Sequence, residues 1–351
     1  MQRRMCCLII GIAAATLIAP SCRPTDPDVH RTERRGDYLG QELPGREPEL
    51  FAPGLVTTGM YTRDVAVSPG GDEIYFSVAT GGSSVIMVAR RKDGRWLEAT
   101  VAPFSGVWRD FEPFVAPDGD RLLFLSNRPP AGQEPKPGWD HQNIWLTTRR
   151  GDTWSEPELL PGPVNTEARE FFPSVTADGT LYFTRGGGGL EAEILRSRWI
   201  DGRYSEPEAL PAEVNSVDSQ FNGFISADED LLLFAATGRD DSRGESDCYV
   251  SFRSPDDRWR GPFNLGDRVN DEGRCDAASL SPDGRILFFM STRRDPAEAG
   301  DLRGMTLSEL LARQARPGNG SADIYWVDAG LIDELRLAPS DRESARPGSR
   351  D

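Results

Sequence analysis

Apolar residues along this chain fall in short runs set off by turn-forming residues, and the same punctuated run returns five times. Ser68-Pro69-Gly70-Gly71 precedes Ile74-Tyr75-Phe76-Ser77, and Ala116-Pro117-Asp118-Gly119 precedes Leu122-Leu123-Phe124-Leu125. Thr176-Ala177-Asp178-Gly179 precedes Leu181-Tyr182-Phe183-Thr184, and Ser226-Ala227-Asp228-Glu229 precedes Leu231-Leu232-Leu233-Phe234. The last copy is Ser281-Pro282-Asp283-Gly284 before Ile286-Leu287-Phe288-Phe289. Pro presets φ, Asp caps the turn and Gly accepts positive φ, so each signal predicts a tight turn. The aromatic and aliphatic run behind it predicts a buried strand.

Each block predicts further strands. Pro113-Phe114-Val115 and Pro173-Ser174-Val175 supply the strand before the turn. Val85–Val88, Asn143–Leu146, Glu193–Leu195, Asp247–Val250 and Asp323–Trp326 supply a third strand. A charged turn follows the first four of these, and an aromatic residue then opens a fourth strand: Trp96, Trp154, Tyr204 and Trp259. Short strands in phase over repeats of this size predict a β-propeller. The fold class is therefore all-β, a single propeller of four-stranded blades.

The order Ser-Pro-Asp-Gly, aromatic strand, Asp-Ile-Tyr resembles the WD-like β-propeller repeat of TolB-type periplasmic proteins, over roughly residues 46–328. The fifth block lacks a fourth strand, but Glu47-Pro48-Glu49-Leu50-Phe51-Ala52-Pro53 matches Glu156-Pro157-Glu158-Leu159-Leu160-Pro161. An N-terminal strand completing the last blade would close the ring and leave no free sheet edge. The count is then five blades, with six, the commoner number in the family resembled, as the alternative. Two insertions, residues 127–142 and 293–321, leave the same face; the second carries a short helix near Met305–Ala312 with Thr306 as its cap.

Before the repeats, Arg3 and Arg4 precede an apolar run from Leu8 to Ala19, too short to span a bilayer and fitting an export signal. It ends at Ala19-Pro20-Ser21-Cys22, which resembles a bacterial lipoprotein signal. That resemblance implies lipidation of Cys22; ordinary secretion is the alternative. Arg23 after the cysteine implies the outer membrane facing the periplasm, with surface exposure as the other orientation. The expected segments are a signal peptide over 1–21, a tether over 22–45, the propeller over 46–330 and a C-terminal tail over 331–351. Cys248 and Cys275 remain in the domain, either as a disulfide in an oxidising compartment or as two buried thiols.

Charge narrows the partners. The net charge of −16 becomes −18 once Arg3 and Arg4 leave (−16 − 2), and no basic patch interrupts the acidic surface. Nucleic acid is excluded, and membrane contact is left to the lipid anchor. No cofactor or metal is expected: there is no Cys/His cluster, P-loop or nucleophile elbow. His30 and His141 are the only histidines.

Candidate site residues gather where the first strands begin, at one mouth of the channel. They are Arg63, Asp64, Arg109, Asp110, Glu112, Arg169, Glu170, Asn222, Arg274 and Asp276. Such a ring suits a polar ligand, and paired carboxylates could also perform glycosidic acid–base work. The same residues could instead pair with one another. The expected function is a non-catalytic envelope binding module for a protein or a polar ligand such as a glycan, the TolB resemblance implying protein partners. The alternative is a carbohydrate-active propeller using the same mouth.

Overall fold

The computed structural model describes residues 34–186, 191–217, 219–295 and 300–337. The expected signal segment and Cys22 lie outside them. The described chain is a β-propeller. Its repeating unit is an antiparallel sheet whose first strand runs down the channel wall, turns at the repeat's turn signal and returns. The first unit pairs Tyr61–Val67, Glu73–Thr80 and Ser83–Lys92. Asp110–Val115, Arg121–Ser126 and Asn143–Arg150 follow, then Arg169–Val175, Leu181–Gly186 and Ala192–Ser197. Ser219–Ile225, Leu231–Thr237, Asp247–Arg253 and Trp259–Asn264 form the next. Cys275–Leu280, Ile286–Ser291 and Asp323–Asp328 form the last. Each first strand lies against the next, and Cys275–Leu280 lies against Tyr61–Val67, so the first strands make a closed ring.

The closing strand is short. Glu49 pairs with Trp326 and Leu50 with Tyr325. Phe51 behind it is fully buried and meets Phe288 and Trp326 at 5.1 and 5.0 Å between ring centroids. The ordered domain begins earlier than the sequence suggests. Residues 34–45 were expected as tether, yet Leu39 is buried and Tyr38 packs on Trp326 at 5.7 Å. It also ends later. Gly330–Leu337, expected as tail from residue 331 on, is a helix, with Leu331 and Ile332 in the core. The first segment carries too few apolar residues to show a period, whereas Leu331, Ile332 and Leu335 do fall at helical spacing and pack against the core, in a helix too short to stand out along the chain.

The outer strands also differ from expectation. In the first two units the fourth strand is split into two-residue pieces on one third strand, as at Thr153–Trp154 and Glu158–Leu159; in the third, Arg203–Tyr204 pairs with Trp199–Ile200 and Glu208–Ala209 with Ala192–Ser197. The repeated asparagines explain how the third strands are held. Asn165 accepts from the Ile144 N–H at 2.8 Å and donates back to the Ile144 carbonyl at 2.9 Å. Asn215 does the same for Ile194, and Asn270 for Cys248. The same carbonyls also accept from the Leu160, Leu210 and Leu265 N–H groups at 3.0–3.1 Å, so each asparagine amide supplies the partner of one backbone N–H and a second donor to the carbonyl.

The insertion helix runs Leu307–Gln314 inside a capping box. The Thr306 hydroxyl accepts from the Glu309 N–H, and the Glu309 carboxylate accepts from the Thr306 N–H at 2.7 Å. In the other insertion, His141 Nε2 contacts the Glu134 carbonyl at 2.9 Å, and Trp139 stacks on Phe111 at 5.8 Å. No described helix is long and apolar enough to cross a membrane.

Candidate functional site

The five first strands share an irregularity. Each shifts register near its middle, and at that point Asp64, Glu112, Phe172, Asn222 and Ala277 take φ between 50° and 59°. Left-handed backbone costs a non-glycine residue on the order of 1 kcal/mol or more. The recompense is visible in the bonds. The bulge turns backbone donors sideways, so the Glu112 N–H reaches Asp64 Oδ2 at 3.2 Å and the Asn222 N–H reaches Thr184 Oγ1 at 3.0 Å, each in the preceding unit. Only Asp64 and Asn222 are of residue types that favour this conformation, and Glu112, Phe172 and Ala277 are not, so no common mark in the sequence announces the bulges.

The bulges sort the expected site residues into two groups. The residue two before each bulge is Thr62, Asp110, Glu170, Gln220 and Cys275, all at most 1% exposed. Each makes a bond that fixes the unit to a loop or its neighbour. Thr62 donates to the Val56 carbonyl, and Gln220 accepts from the Val217 N–H at 2.6 Å. Asp110 accepts from Ser105 at 2.7 Å and Arg128 at 3.0 Å. Glu170 accepts from Thr166 at 2.6 Å and Arg185 at 2.9 Å. Cys275 is joined to Cys248 across 5.5 Å between Cα atoms. Asp110 and Glu170, expected at an open mouth, are therefore sealed fasteners. Burial holds the Asp110 carboxyl above its usual range, against the pull of the Arg128 guanidinium. Arg169 is exposed and Arg109 half-buried at the rim.

The second group does converge. Arg63 Nε donates to Asp64 Oδ1 at 2.8 Å, and its Nη2 donates to Glu112 Oε1 at 3.2 Å. Glu112 Oε2 accepts from the Phe172 N–H at 2.7 Å. Asp276 accepts from Ser246 at 2.7 Å and is paired with Arg274. This cluster plugs the channel. Burial raises the Glu112 pKa; the Arg63 guanidinium opposes the rise and the Asp64 carboxylate adds to it. Both oxygens of Asp64, Asp110, Glu112, Glu170 and Asp276 are engaged.

On the far side of the plug the channel widens into a cup of about 500 Å³. It opens between the turns of the repeat, on the face opposite the two insertions. Asp64, Glu112, Phe172 and Ala277 border it inside, and Pro69, Pro117, Asp228 and Pro282 stand at its lip. Val65, Phe114, Val175, Phe224 and Leu280 form much of its wall. Sequence reasoning placed the site at the other mouth. The wall residues read as core strand, and the turn residues read as repeat punctuation. The one usable signal was blade four, where Asp228-Glu229 replaces Asp-Gly. There the turn is held by Asp230, which accepts from Ser226 at 3.0 Å, and Asp228 stands exposed at the lip. No three His, Cys, Asp or Glu side chains among the described residues form a group that could hold a metal ion.

No protein-family model matches the sequence, and no curated protein matches it. Among solved structures, the chain is similar to TolB from Acinetobacter baumannii at 13% identity and a TM-score of 0.41, covering 77% of this chain and 57% of that one. It is similar to an endo-arabinanase from Bacillus licheniformis at 11% identity and 0.45, covering 76% and 93%. It is similar to an α-L-arabinofuranosidase from Podospora anserina at 12% identity and 0.46, covering 82% and 98%. Likenesses this remote say nothing of substrate or partner. The class is a β-propeller with a plugged channel and an open cup on its turn face.

Proposed function

We propose that this protein is a lipid-anchored binding module of the bacterial cell envelope, without catalytic chemistry in its channel, that receives its ligand in the cup on the turn face. The observation that carries this reading is the engagement of every carboxylate oxygen in the plug. A glycosidase needs one carboxyl group free to give a proton and another free to meet the sugar or its water across an open gap. Here Asp64 and Glu112 instead share Arg63. The Arg3–Cys22 segment, with its basic start, apolar run and terminal cysteine, supports the envelope address.

The test has two arms. A panel of aryl glycosides and arabinan oligosaccharides should show no turnover; turnover abolished by Glu112→Gln would overturn the non-catalytic reading. In cells, a photocrosslinking residue replacing Phe114 in the cup should capture an envelope component that the same residue at the exposed Trp199 position does not. Equal capture from both positions would remove the cup from the proposal. Cys22→Ala should shift the protein from the membrane to the soluble fraction.

A further inference from the structure

We infer that the cup takes a ligand with an apolar, aromatic-sized body and a single cationic head, a primary amine or guanidinium, seated head inward. This rests on the binding-module reading and adds the class of ligand.

Charge supplies the first part of the argument. At the inner end of the cup two carboxylates, Asp64 and Glu112, share one guanidinium, Arg63, while Arg274 is committed to Asp276. Burial pushes the Glu112 pKa up to about 8, so that carboxyl keeps its proton near neutral pH for want of a second counter-charge, and a cation seated beside it would take the proton's place. Asp228 and Asp283 add two carboxylates at the lip, and no Lys, Arg or His lines the cup. An anionic ligand would meet only like charge.

The polar inventory supplies the second part. A neutral sugar needs directional partners, and the cup has few to give. Its serines are already engaged: Ser226 with Asp230, Ser279 with the Val65 carbonyl at 3.0 Å, and Ser281 with Asp283 at 2.6 Å. What remains is an apolar wall with two partly buried phenylalanines, Phe114 and Phe224, whose rings lie 6.1 Å apart. A wall of this kind suits an aryl or long alkyl group, and a volume of about 500 Å³ falls within the range of small-ligand pockets.

The full-length protein would be titrated calorimetrically with phenylbutylamine, phenylbutanol and phenylbutyrate, which share a body and differ in head charge. The amine should bind about tenfold more tightly than the alcohol, and the acid more weakly than either. Glu112→Gln should bring the amine to the affinity of the alcohol. Because that residue is buried, the exposed pair Asp228→Asn and Asp283→Asn is the second variant, expected to weaken the amine about threefold and spare the alcohol. Equal affinities for amine and alcohol, preference for the acid, binding by none of the three, or amine binding untouched by both variants would each overturn the ligand class. Crosslinking from position 114 depends on none of these probes, so it judges the binding-module reading separately.

Discussion

Replacing Cys248 and Cys275 together with alanine should lower stability by about 3.5 kcal/mol. The bond closes a segment of 27 residues between the third strand of one unit and the first strand of the next. Loop-closure entropy for a segment of that length is about −12 cal/mol/K, or about 3.5 kcal/mol at room temperature, lost from the unfolded ensemble when the bond is present. With a urea slope of about 3 kcal/mol/M, the midpoint should fall by about 1 M. The assay is urea unfolding followed by tryptophan fluorescence on the oxidised protein, the protein under reductant and the double variant. Reductant and variant should agree, because both cysteines are buried and alanine removes little besides the crosslink. A midpoint within about 0.2 M of the oxidised protein in both cases would refute the reasoning. A loss in the variant that reductant does not reproduce would assign the effect to packing instead.

Two further outcomes concern the buried charges. Arg63→Met leaves Asp64 and Glu112 without their guanidinium and should cost about 3–5 kcal/mol in urea unfolding near neutral pH; a cost under about 1 kcal/mol would show that the plug is solvated. Asp323, fully buried with one oxygen lacking a hydrogen-bond partner, is pushed up to about 6 by burial, with only the Gly318 N–H opposing. Its folded pKa lies above the unfolded value, so its contribution is fully present below about pH 4 and is lost as pH rises through about 6. Asp323→Asn, which copies Asn143 at the head of an equivalent strand, should raise the melting temperature at neutral pH and flatten its dependence between about pH 4 and 7; an unchanged profile would place the titration elsewhere.

Most of the architecture was legible because the blade repeats its chemistry. The turn signals, the aromatic strand openers and the repeated Asn165, Asn215 and Asn270 recur for reasons visible in the bonds of Asp118, Trp154 and Asn165. The closing strand was legible too, since Glu47–Pro53 copies a fourth strand found elsewhere. The site was harder to read. Asp110 and Glu170 occupy the position that Thr62, Gln220 and Cys275 fill in other units, so one structural role is carried by five unlike residues and no repeat exposes it. The left-handed bulges stand on Asp, Glu, Phe, Asn and Ala, and so carry no common sequence mark. The cup escaped notice because Phe114, Phe224 and Leu280 are indistinguishable in sequence from strand core.

The pairing of Glu49 with Trp326 joins residues 277 apart (326 − 49). Bringing such distant points together costs about 5 kcal/mol of chain entropy, against about 2 kcal/mol for a ten-residue hairpin. Two ladder positions cannot offset that by themselves, so the latch depends on Phe51, Leu39 and Tyr38 settling over Phe288 and Trp326. Assembly order follows. The segment translated early must wait, unpaired and apolar, until nearly the whole chain has been made, and the ring locks in one late step. Until then the last sheet keeps a bare edge, and the interval before locking is when a chaperone or a second chain could occupy it.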